Sequence, residues 1–339
     1  MELQEELRHS ILTMLREKQD PLEGFYALDE IKEAIMAVVI SGRHLLLEGP
    51  PGTGKTTLAK IMAGHLKSMS IVEGCSYNCD PESPHCPDCL SERTGSGVAT
   101  VPSSERFIRV QGSPEIMPED LLGDIDPVVA MQYGIHDPRA FIPGRIQRAH
   151  RKILFIDELN RIPERTQNTL IQVLEEGTTT IAGFDITIPV DTIVIATQNS
   201  EEYAGVDRIS ETLSDRFEHV HISYPSIEHE VAILNRYARR YEGIEFDESL
   251  LPKIVGISQS TRTTEDISRP ASVRASIATF EQSQTMAQLN GRNAVNQKDI
   301  EKAAIISLQG KTEVSPSSQY FDNPKTLFKQ IVLRNLNGE

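Results

Sequence analysis

The sequence predicts an α/β fold, in which a parallel sheet flanked by helices is followed by a small all-α lid domain. Short apolar runs that end in polar residues, such as Lys152 to Ile156, are typical of buried parallel strands. The first such run, His44 to Glu48, leads through a glycine-rich loop into a helical pattern. From Tyr224-Pro225 onward the apolar residues recur at helical spacing only. We therefore expect an α/β domain at 1–225 with a cysteine-rich insertion at 70–104, a helical lid at 226–310, and a linker with a C-terminal helix at 311–339.

Composition limits the kinds of protein this can be. The chain has 339 residues, of which 39% are hydrophobic and 24% charged, as in ordinary soluble proteins. Its formal net charge of -15 weighs against a dedicated nucleic-acid partner, because phosphate affinity comes largely from Lys and Arg. No apolar run has membrane-spanning length, and the acidic start from Met1 to Glu6 is unlike a signal peptide. We expect a cytoplasmic protein without membrane insertion.

The loop after the first strand fits the phosphate-binding (Walker A) pattern G-x-x-x-x-G-K-[ST]. Its glycines let backbone N–H groups approach phosphate oxygens at a helix N-terminus. Lys55 would reach the β- and γ-phosphates of ATP, and the Thr56 hydroxyl would hold Mg²⁺. A glycine-rich turn without a ligand is the alternative, but the flanking strand and helix favour nucleotide binding. The predicted cofactor-binding residues here are Gly49, Pro50, Pro51, Gly52, Thr53, Gly54, Lys55, Thr56 and Thr57.

Four cysteines fall within one short loop, as Cys75-x3-Cys79-x6-Cys86-x2-Cys89. Four thiolates in a loop with little apolar material to bury predict a structural Zn²⁺ site. His85 could replace one thiol. An iron–sulfur cluster, or thiols without a metal, are the alternatives; two disulfides are not expected in a reducing cytoplasm.

Asp157 and Glu158 follow the apolar run that ends at Ile156. Ligands in open α/β sheets bind at such strand ends. Asp157 would hold Mg²⁺ through water or directly, as a Walker B acid does, and Glu158 would orient and polarise the attacking water. Two solvated acids are the alternative; a phosphate loop about a hundred residues upstream favours the catalytic interpretation.

The segment between these acids and the lid contains further candidates. An amphipathic helix is predicted at 166–176, and a hairpin at 178–189 turning at Ala182-Gly183. The next core strand, 191–196, ends near Asn199, whose amide could hydrogen-bond the water or the γ-phosphate, although a lone Asn is more often a turn residue. Arg216, after the helix at 211–214, could act on a neighbouring subunit's nucleotide, because a guanidinium stabilises the transition-state charge. A local salt bridge with Asp215 or Glu218 is the alternative, and Arg208 is the competing candidate.

The lid and tail follow from helical spacing. Lid helices are predicted at 227–241, 248–257, 272–289 and 296–308, and Arg274 near the start of the third could reach phosphate. After the Ser/Pro-rich linker 314–319, Asn323-Pro324 should begin a tail helix. Its apolar face would dock on the lid or present a partner or oligomer surface; that face consists of Leu327, Phe328, Ile331 and Val332.

Several motifs together resemble the AAA+ ATPases, and within them the MoxR and magnesium-chelatase ATPase-subunit group. The stretch from Phe141-x-Pro143-Gly144 through Arg148-Ala149-x-Arg151 into the Asp157-Glu158 strand, and Gly123-Asp124-Ile125-Asp126, are similar to the chelatase subunit. Asn160-Arg161-x-Pro163, Thr166-Gln167 and Ala196-Thr197-Gln198-Asn199 resemble MoxR proteins. The resemblance covers about 24–308. The cysteine loop, and Ser200 where Pro is usual, depart from the MoxR pattern.

The resemblance implies a ring, usually a hexamer, with nucleotide between subunits. Asn199, Arg216 and Arg274 then match sensor 1, the arginine finger and sensor 2. Relatives often work with a partner that carries a metal-binding von Willebrand factor A domain. The first hypothesis is therefore an ATP-hydrolysing motor that remodels a partner protein or loads metal into it. A nucleic-acid motor resembling minichromosome-maintenance helicases is the alternative, and a nucleotide-gated scaffold that barely hydrolyses ATP is a third.

Overall fold

A computed structural model describes residues 2–91, 94–135, 137–181, 186–199 and 209–338. The chain forms two compact units. The first comprises Met1–Phe25, Asp29–Gly49 and Gly54–Ile222, and the second comprises Tyr26–Leu28, Pro50–Thr53 and Ser223–Glu339. The predicted boundaries at 225 and 310 remain predictions. Within the described residues, no helix combines the length and apolarity needed to cross a membrane.

The first unit contains ten helices and eleven strands in its described part. The helices are α1 (Leu3–Arg16), α2 (Asp29–Ile40), α3 (Lys55–Gly64), α4 (Pro87–Leu90), α5 (Pro118–Leu122), α6 (Pro127–Tyr133), α7 (Arg145–Arg148), α8 (Glu164–Gln167), α9 (Ile171–Glu176) and α10 (Glu211–Ser214). The strands are β1 (His44–Glu48), β2 (Met69–Val72), β3 (Val98–Val101), β4 (Phe107–Gln111), β5 (Asp124–Ile125), β6 (Phe141–Ile142), β7 (Lys152–Asp157), β8 (Thr178–Ile181), β9 (Ile186–Pro189), β10 (Thr192–Gln198) and β11 (Phe217–His221).

The central sheet has five parallel strands in the order β11-β1-β10-β7-β4. Its middle strands are buried on both faces, which explains their continuous apolar runs. Parallel strands place their carboxyl ends at one edge, and the register aligns Gln111 with Asp157 and Glu48 with Gln198. The predicted α/β fold is confirmed, and the loops after β1, β7 and β10 emerge at the same edge.

Around this sheet the structure refines the predicted elements. The helix predicted at 166–176 is divided into α8, a 3₁₀ turn and α9. The hairpin is present as antiparallel β8 and β9, while its predicted turn at Ala182-Gly183 lies outside the described residues. The cysteine loop is enclosed by the antiparallel pair β2 and β3, so the insertion is closed at its base.

The second unit contains α11 (Ile227–Tyr237), α12 (Leu251–Thr263), α13 (Val273–Leu289), α14 (Gln297–Lys311) and α15 (Pro324–Asn337). The helical lid is confirmed, and the structure adds one short antiparallel pair, in which β12 (Ile267–Arg269) pairs with β13 (Glu313–Val314). Strands of two and three residues are too short to produce a recognisable period in the sequence. The first of them falls between predicted helices and the second at the edge of the predicted linker.

The tail helix α15 docks within its own unit. Its apolar face shares one core with residues of α12, α13 and α14. Burial is nearly complete for Phe328 and Val332, which lie one turn apart on that face. Of the two roles considered for this helix, docking on the lid is the one observed.

His44 gives the first testable consequence of the fold. The backbone N–H of Val194 donates to its Nδ1 at 3.1 Å. Burial lowers the pKa of His44 to about 4, with Arg43 acting in the same direction and a backbone hydrogen bond at Leu174 opposing it. The unfolded chain therefore binds a proton near pH 6.5 that the folded chain excludes. Stability is retained above that pH and is lost as the pH falls from about 6.5 toward 4.

Between pH 7 and pH 5 we expect the free energy of unfolding to fall more in the native protein than in His44→Gln. The difference between the two decreases should be at most about 2 kcal/mol. Urea unfolding at the two pH values measures the difference. His9→Gln, a substitution at an exposed histidine, is the control and should titrate like the native protein. Identical pH dependence of the native protein and His44→Gln would contradict the prediction.

Candidate nucleotide-binding site

The glycine-rich loop leads directly into α3, which begins at Lys55. Gly54 precedes it with φ +87°, a left-handed conformation that glycine adopts without strain. The Lys55 side chain is only 7% exposed, and its Nζ donates to the carbonyl oxygen of Gly49 at 2.6 Å. The lysine is therefore held at the start of a ten-residue helix whose free N–H groups and dipole favour anions.

Thr197, at the end of β10, fixes both acidic residues at the end of β7. Its hydroxyl donates to Oδ1 of Asp157 at 2.8 Å and accepts from the backbone N–H of Glu158 at 2.8 Å. Thr197 is 1% exposed. Glu158 has φ +55°, an uncommon conformation for a residue with a side chain, and such conformations concentrate at functional sites.

Asn199 connects the lysine to the glutamate. Its Nδ2 donates to Oε1 of Glu158 at 3.1 Å, and its Oδ1 accepts from Lys55 Nζ at 3.5 Å. Residues predicted separately from three parts of the sequence are thus joined in one hydrogen-bonded chain.

Sequence reasoning missed three further members of this network. Arg109 forms an ion pair with Asp157, Nη2 to Oδ2 at 2.6 Å, and also donates to Oε1 of Gln111 at 2.8 Å. Gln111 Nε2 donates to Oε2 of Glu158 at 3.3 Å. Arg161 donates to the same oxygen at 2.8 Å. Arg109 and Gln111 are two positions apart on a five-residue strand. Because side chains two apart on a strand share a face, this spacing was a signal that could have placed them together.

The donor set at this edge suits Mg²⁺. Asp157 supplies a carboxylate at the strand end, and Thr56, partly exposed in the first turn of α3, supplies a hydroxyl. Hard oxygen ligands of this kind, few in number and supplemented by phosphate oxygens, are what Mg²⁺ prefers. These residues therefore fit the predicted metal.

Arg216 forms the local salt bridge considered as its alternative role. Its Nη1 contacts Oδ2 of Asp215 at 2.9 Å, and its Nη2 contacts Oε2 of Glu175 at 3.2 Å. Glu175 was not foreseen, and the predicted alternative partner Glu218 is not its ion-pair partner among the described contacts. Arg208 lies outside the described residues.

Arg274 belongs to the second unit, where it is exposed in the first turn of α13. Within the same unit, Gly52 lies against Ser272, the residue before α13. A Cβ built at Gly52 would come within 2.9 Å of the Ser272 Cβ, so this position of the phosphate loop has room only for glycine. Arg274 thus follows closely after a residue that the loop touches.

The four cysteines converge, as their spacing predicted. Their sulfur atoms all lie within 4.8 Å of one another, and Sγ of Cys75 lies 3.7 Å from Sγ of Cys86. A tetrahedral Zn²⁺ with Zn–S bonds of ~2.3 Å requires sulfurs roughly 3.8 Å apart. His85 lies beside the cluster, with Nδ1 at 3.8 Å from Sγ of Cys79. The thiols alone therefore supply four sulfur donors, the number that a structural Zn²⁺ site uses.

The cluster is a small core in its own right. Tyr77, Phe141 and Ile188 pack with the cysteines, so β6 and β9 both contact it. Hydrogen bonds from Cys75 and Cys86 hold the pKa of Cys79 well below its ordinary value, whereas the hydrogen bond with Cys79 raises the pKa of Cys75 to about 12. Below the cluster, Asn78 Nδ2 donates to the carbonyl of Arg148 at 2.8 Å. The insertion is thereby anchored to the segment that precedes β7.

Three family models match successive parts of the chain. Residues 26–78 match "Magnesium chelatase, subunit ChlI". Residues 96–219 match "ATPase family associated with various cellular activities (AAA)", and residues 259–324 match "AAA lid domain". The AAA lid match at 259–324 lies wholly within the second unit.

Two curated relatives and one solved structure are also similar to this chain. An uncharacterized protein of Bacillus subtilis, YeaC, is 26% identical over 84% of this chain and 82% of its own length. The magnesium-chelatase 38 kDa subunit of Acidiphilium rubrum is 34% identical, but over 51% of this chain and only about half (49%) of that subunit. NtrX from Brucella abortus, solved with ADP, has a TM-score of 0.51 at 16% identity, covering 91% of this chain and 62% of its own. At that identity the likeness concerns the fold alone.

Proposed function

This chain belongs to the AAA+ ATPases, in the group of the MoxR proteins and the magnesium-chelatase ATPase subunits, and we propose that it is a motor that uses ATP hydrolysis to remodel a partner protein or to load metal into it. The observation that carries the hydrolytic part is the hydrogen-bonded chain from Lys55 through Asn199 to Glu158. This chain joins an ammonium group, an amide and a carboxylate, as the proposed roles in phosphate binding and water activation require.

Each residue of the site has a role in this proposal. The glycine-rich loop and Lys55 bind the phosphates, and Thr56 with Asp157 would hold Mg²⁺, which supplies charge neutralisation on the β- and γ-phosphates when bound. Glu158 accepts a proton from the attacking water as its oxygen approaches the γ-phosphate. Asn199 orients that water through its amide. Thr197 keeps the two acids in place throughout.

We further propose that the site is completed by a neighbouring subunit in a ring, in relatives usually a hexamer. Arg216 is the proposed finger, and its ion pairs with Asp215 and Glu175 hold the guanidinium at a defined place on the surface. Arg274 is the proposed sensor 2, which would reach phosphate. Hydrolysis then depends on assembly, because the charge that Arg216 supplies comes from another copy.

Mixing inactive variants tests the ring. Lys55→Ala should not bind ATP, and Arg216→Ala should bind it but hydrolyse it at least about 10³-fold more slowly. A mixture of the two should regain part of the ATPase activity, because some interfaces then combine an intact loop with an intact Arg216.

The matched control is a mixture of Arg216→Ala with the double variant that carries both substitutions. No interface in that mixture has an intact loop opposite an intact finger, so it should stay inactive. Persistent inactivity of the first mixture, with size-exclusion chromatography showing mixed rings, would refute the role of Arg216 in trans.

The partner class proposed is a protein with a von Willebrand factor A domain. The resemblance to the MoxR and magnesium-chelatase group is the basis of this proposal, and the net charge of -15 disfavours nucleic acid as the alternative partner. A pull-down from the native cell would identify the partner. Stimulation of the ATPase by that protein supports the proposal, whereas stimulation by single-stranded DNA instead would favour a nucleic-acid motor.

We also propose that the cysteine cluster holds a structural Zn²⁺. The sulfur separations and the four-thiol donor set support it. An iron–sulfur cluster uses the same ligands and is the alternative. Elemental analysis distinguishes the two, because one contains zinc and the other iron.

A further inference from the structure

We propose that Arg109 competes with Mg²⁺ for Asp157 and thereby sets the free metal concentration at which the ATP site fills. The inference rests on the proposed function and adds a regulatory residue to the same site. Arg109 acts through Asp157, so it is a positioning residue and not a catalytic one.

Both carboxylate oxygens of Asp157 already have a partner among the described residues. Oδ1 of Asp157 accepts from the Thr197 hydroxyl, which also holds the backbone of Glu158. Oδ2 is the other oxygen, and Arg109 Nη2 lies 2.6 Å from it. A metal that binds at Oδ2 leaves the Thr197 contact intact and comes directly beside the guanidinium, so that the two cations share one oxygen.

Two cations at one carboxylate oppose each other. A guanidinium is never deprotonated in a protein, so its charge cannot be removed by a change of pH. Mg²⁺ near Oδ2 would repel it at short range, and the weaker of the two interactions must yield. Arg109 is able to yield, because its side chain is 47% exposed whereas that of Asp157 is 18% exposed.

The displacement also reaches Glu158. The same Nη2 that contacts Asp157 donates to Gln111 at 2.8 Å, and Gln111 donates to Glu158 at 3.3 Å. When Arg109 leaves, Gln111 loses the donor that holds its amide oxygen. Metal entry at Asp157 is in this way coupled to the hydrogen bonding of the proposed general base.

A metal-binding measurement tests this independently of turnover. Mn²⁺, which has hard-ligand preferences close to those of Mg²⁺, is titrated into the full-length protein with saturating ATPγS, and free Mn²⁺ is followed by electron paramagnetic resonance. Arg109→Gln should lower the half-saturating Mn²⁺ concentration at least about threefold. Arg109→Lys retains the charge and should remain within about twofold of the native protein.

Arg161→Gln is the matched control. It removes the same charge from the neighbouring carboxylate, since Arg161 contacts Glu158 and not Asp157. Its half-saturating Mn²⁺ concentration should stay close to the native value. The Mg²⁺ dependence of ATP hydrolysis in Arg109→Gln should shift in the same direction as its Mn²⁺ affinity, without a matching change in the ATP concentration for half-maximal rate.

The outcomes separate the possibilities. Unchanged or weaker Mn²⁺ binding in Arg109→Gln would overturn the inference, as would equal tightening in Arg109→Lys or Arg161→Gln. Loss of metal-free ATP binding in Arg109→Gln, measured in EDTA with a fluorescent ATP, would make Arg109 a phosphate ligand and also overturn it. Failure of the native protein to bind Mn²⁺ with ATPγS would refute the proposed ATP site itself.

Discussion

Glu158→Gln should bind ATP with nearly native affinity and hydrolyse it about 10²- to 10⁴-fold more slowly. The substitution keeps the shape of the side chain and one of its two oxygens, which can accept either from Asn199 or from Arg161. It removes the carboxylate charge and the ability to take a proton from water. Binding rests on Lys55 and the loop, which the substitution does not touch, so ATP should be trapped.

The measurement is a comparison of ATP affinity, by a fluorescent analogue, with the steady-state rate of phosphate release. Glu115→Gln is the matched control, since it makes the same chemical change at an exposed acid outside the hydrogen-bonded network. Normal turnover by Glu158→Gln would sink the assignment of the general base. Full function of that variant with its partner, despite lost hydrolysis, would instead indicate a nucleotide-gated scaffold.

Cys79→Ser should yield a protein without its metal and with a lower melting temperature. Cys79 is buried and contacts Cys75, Cys86 and His85, so no other thiol can take its place. Loss of a structural metal removes folding free energy directly, here by more than ~2 kcal/mol. Because Phe141 and Ile188 pack on the cluster, the strands β6 and β9 should also become more open to hydrogen exchange.

Elemental analysis of anaerobically purified protein, with thermal unfolding, tests this. The native chain should contain one zinc per molecule, and Ser91→Ala, a change at the exposed end of the same loop, should keep both zinc and stability. If the protein instead contains iron and absorbs visible light, the cysteines hold an iron–sulfur cluster and not zinc. A native protein free of both metals would remove the metal site.

Local sequence patterns were sufficient to predict much of the fold and the positions of the main site residues. The run before Gly49 and the run before Asp157 were continuous and apolar because both become inner strands of a parallel sheet, buried on both faces. The phosphate loop and the cysteine spacing are short-range patterns whose chemistry follows from residue type alone. The α/β fold, the positions of Lys55 and the acid pair, and the clustering of the four thiols could therefore be predicted.

What the sequence could not determine depends on contacts between distant segments. Thr197 reaches Asp157, and Arg109 does so from the other side, because β7 lies between β10 and β4 in the sheet, an order that does not follow the chain. The β12–β13 pair likewise joins residues more than forty positions apart through very short strands. Local periodicity gives each strand its faces, but only the tertiary structure decides which strands are neighbours. The sequence thus determined that the chain has a phosphate-loop pattern and an acid pair at a strand end. The tertiary structure decided that Arg109 is the cation that pairs with Asp157.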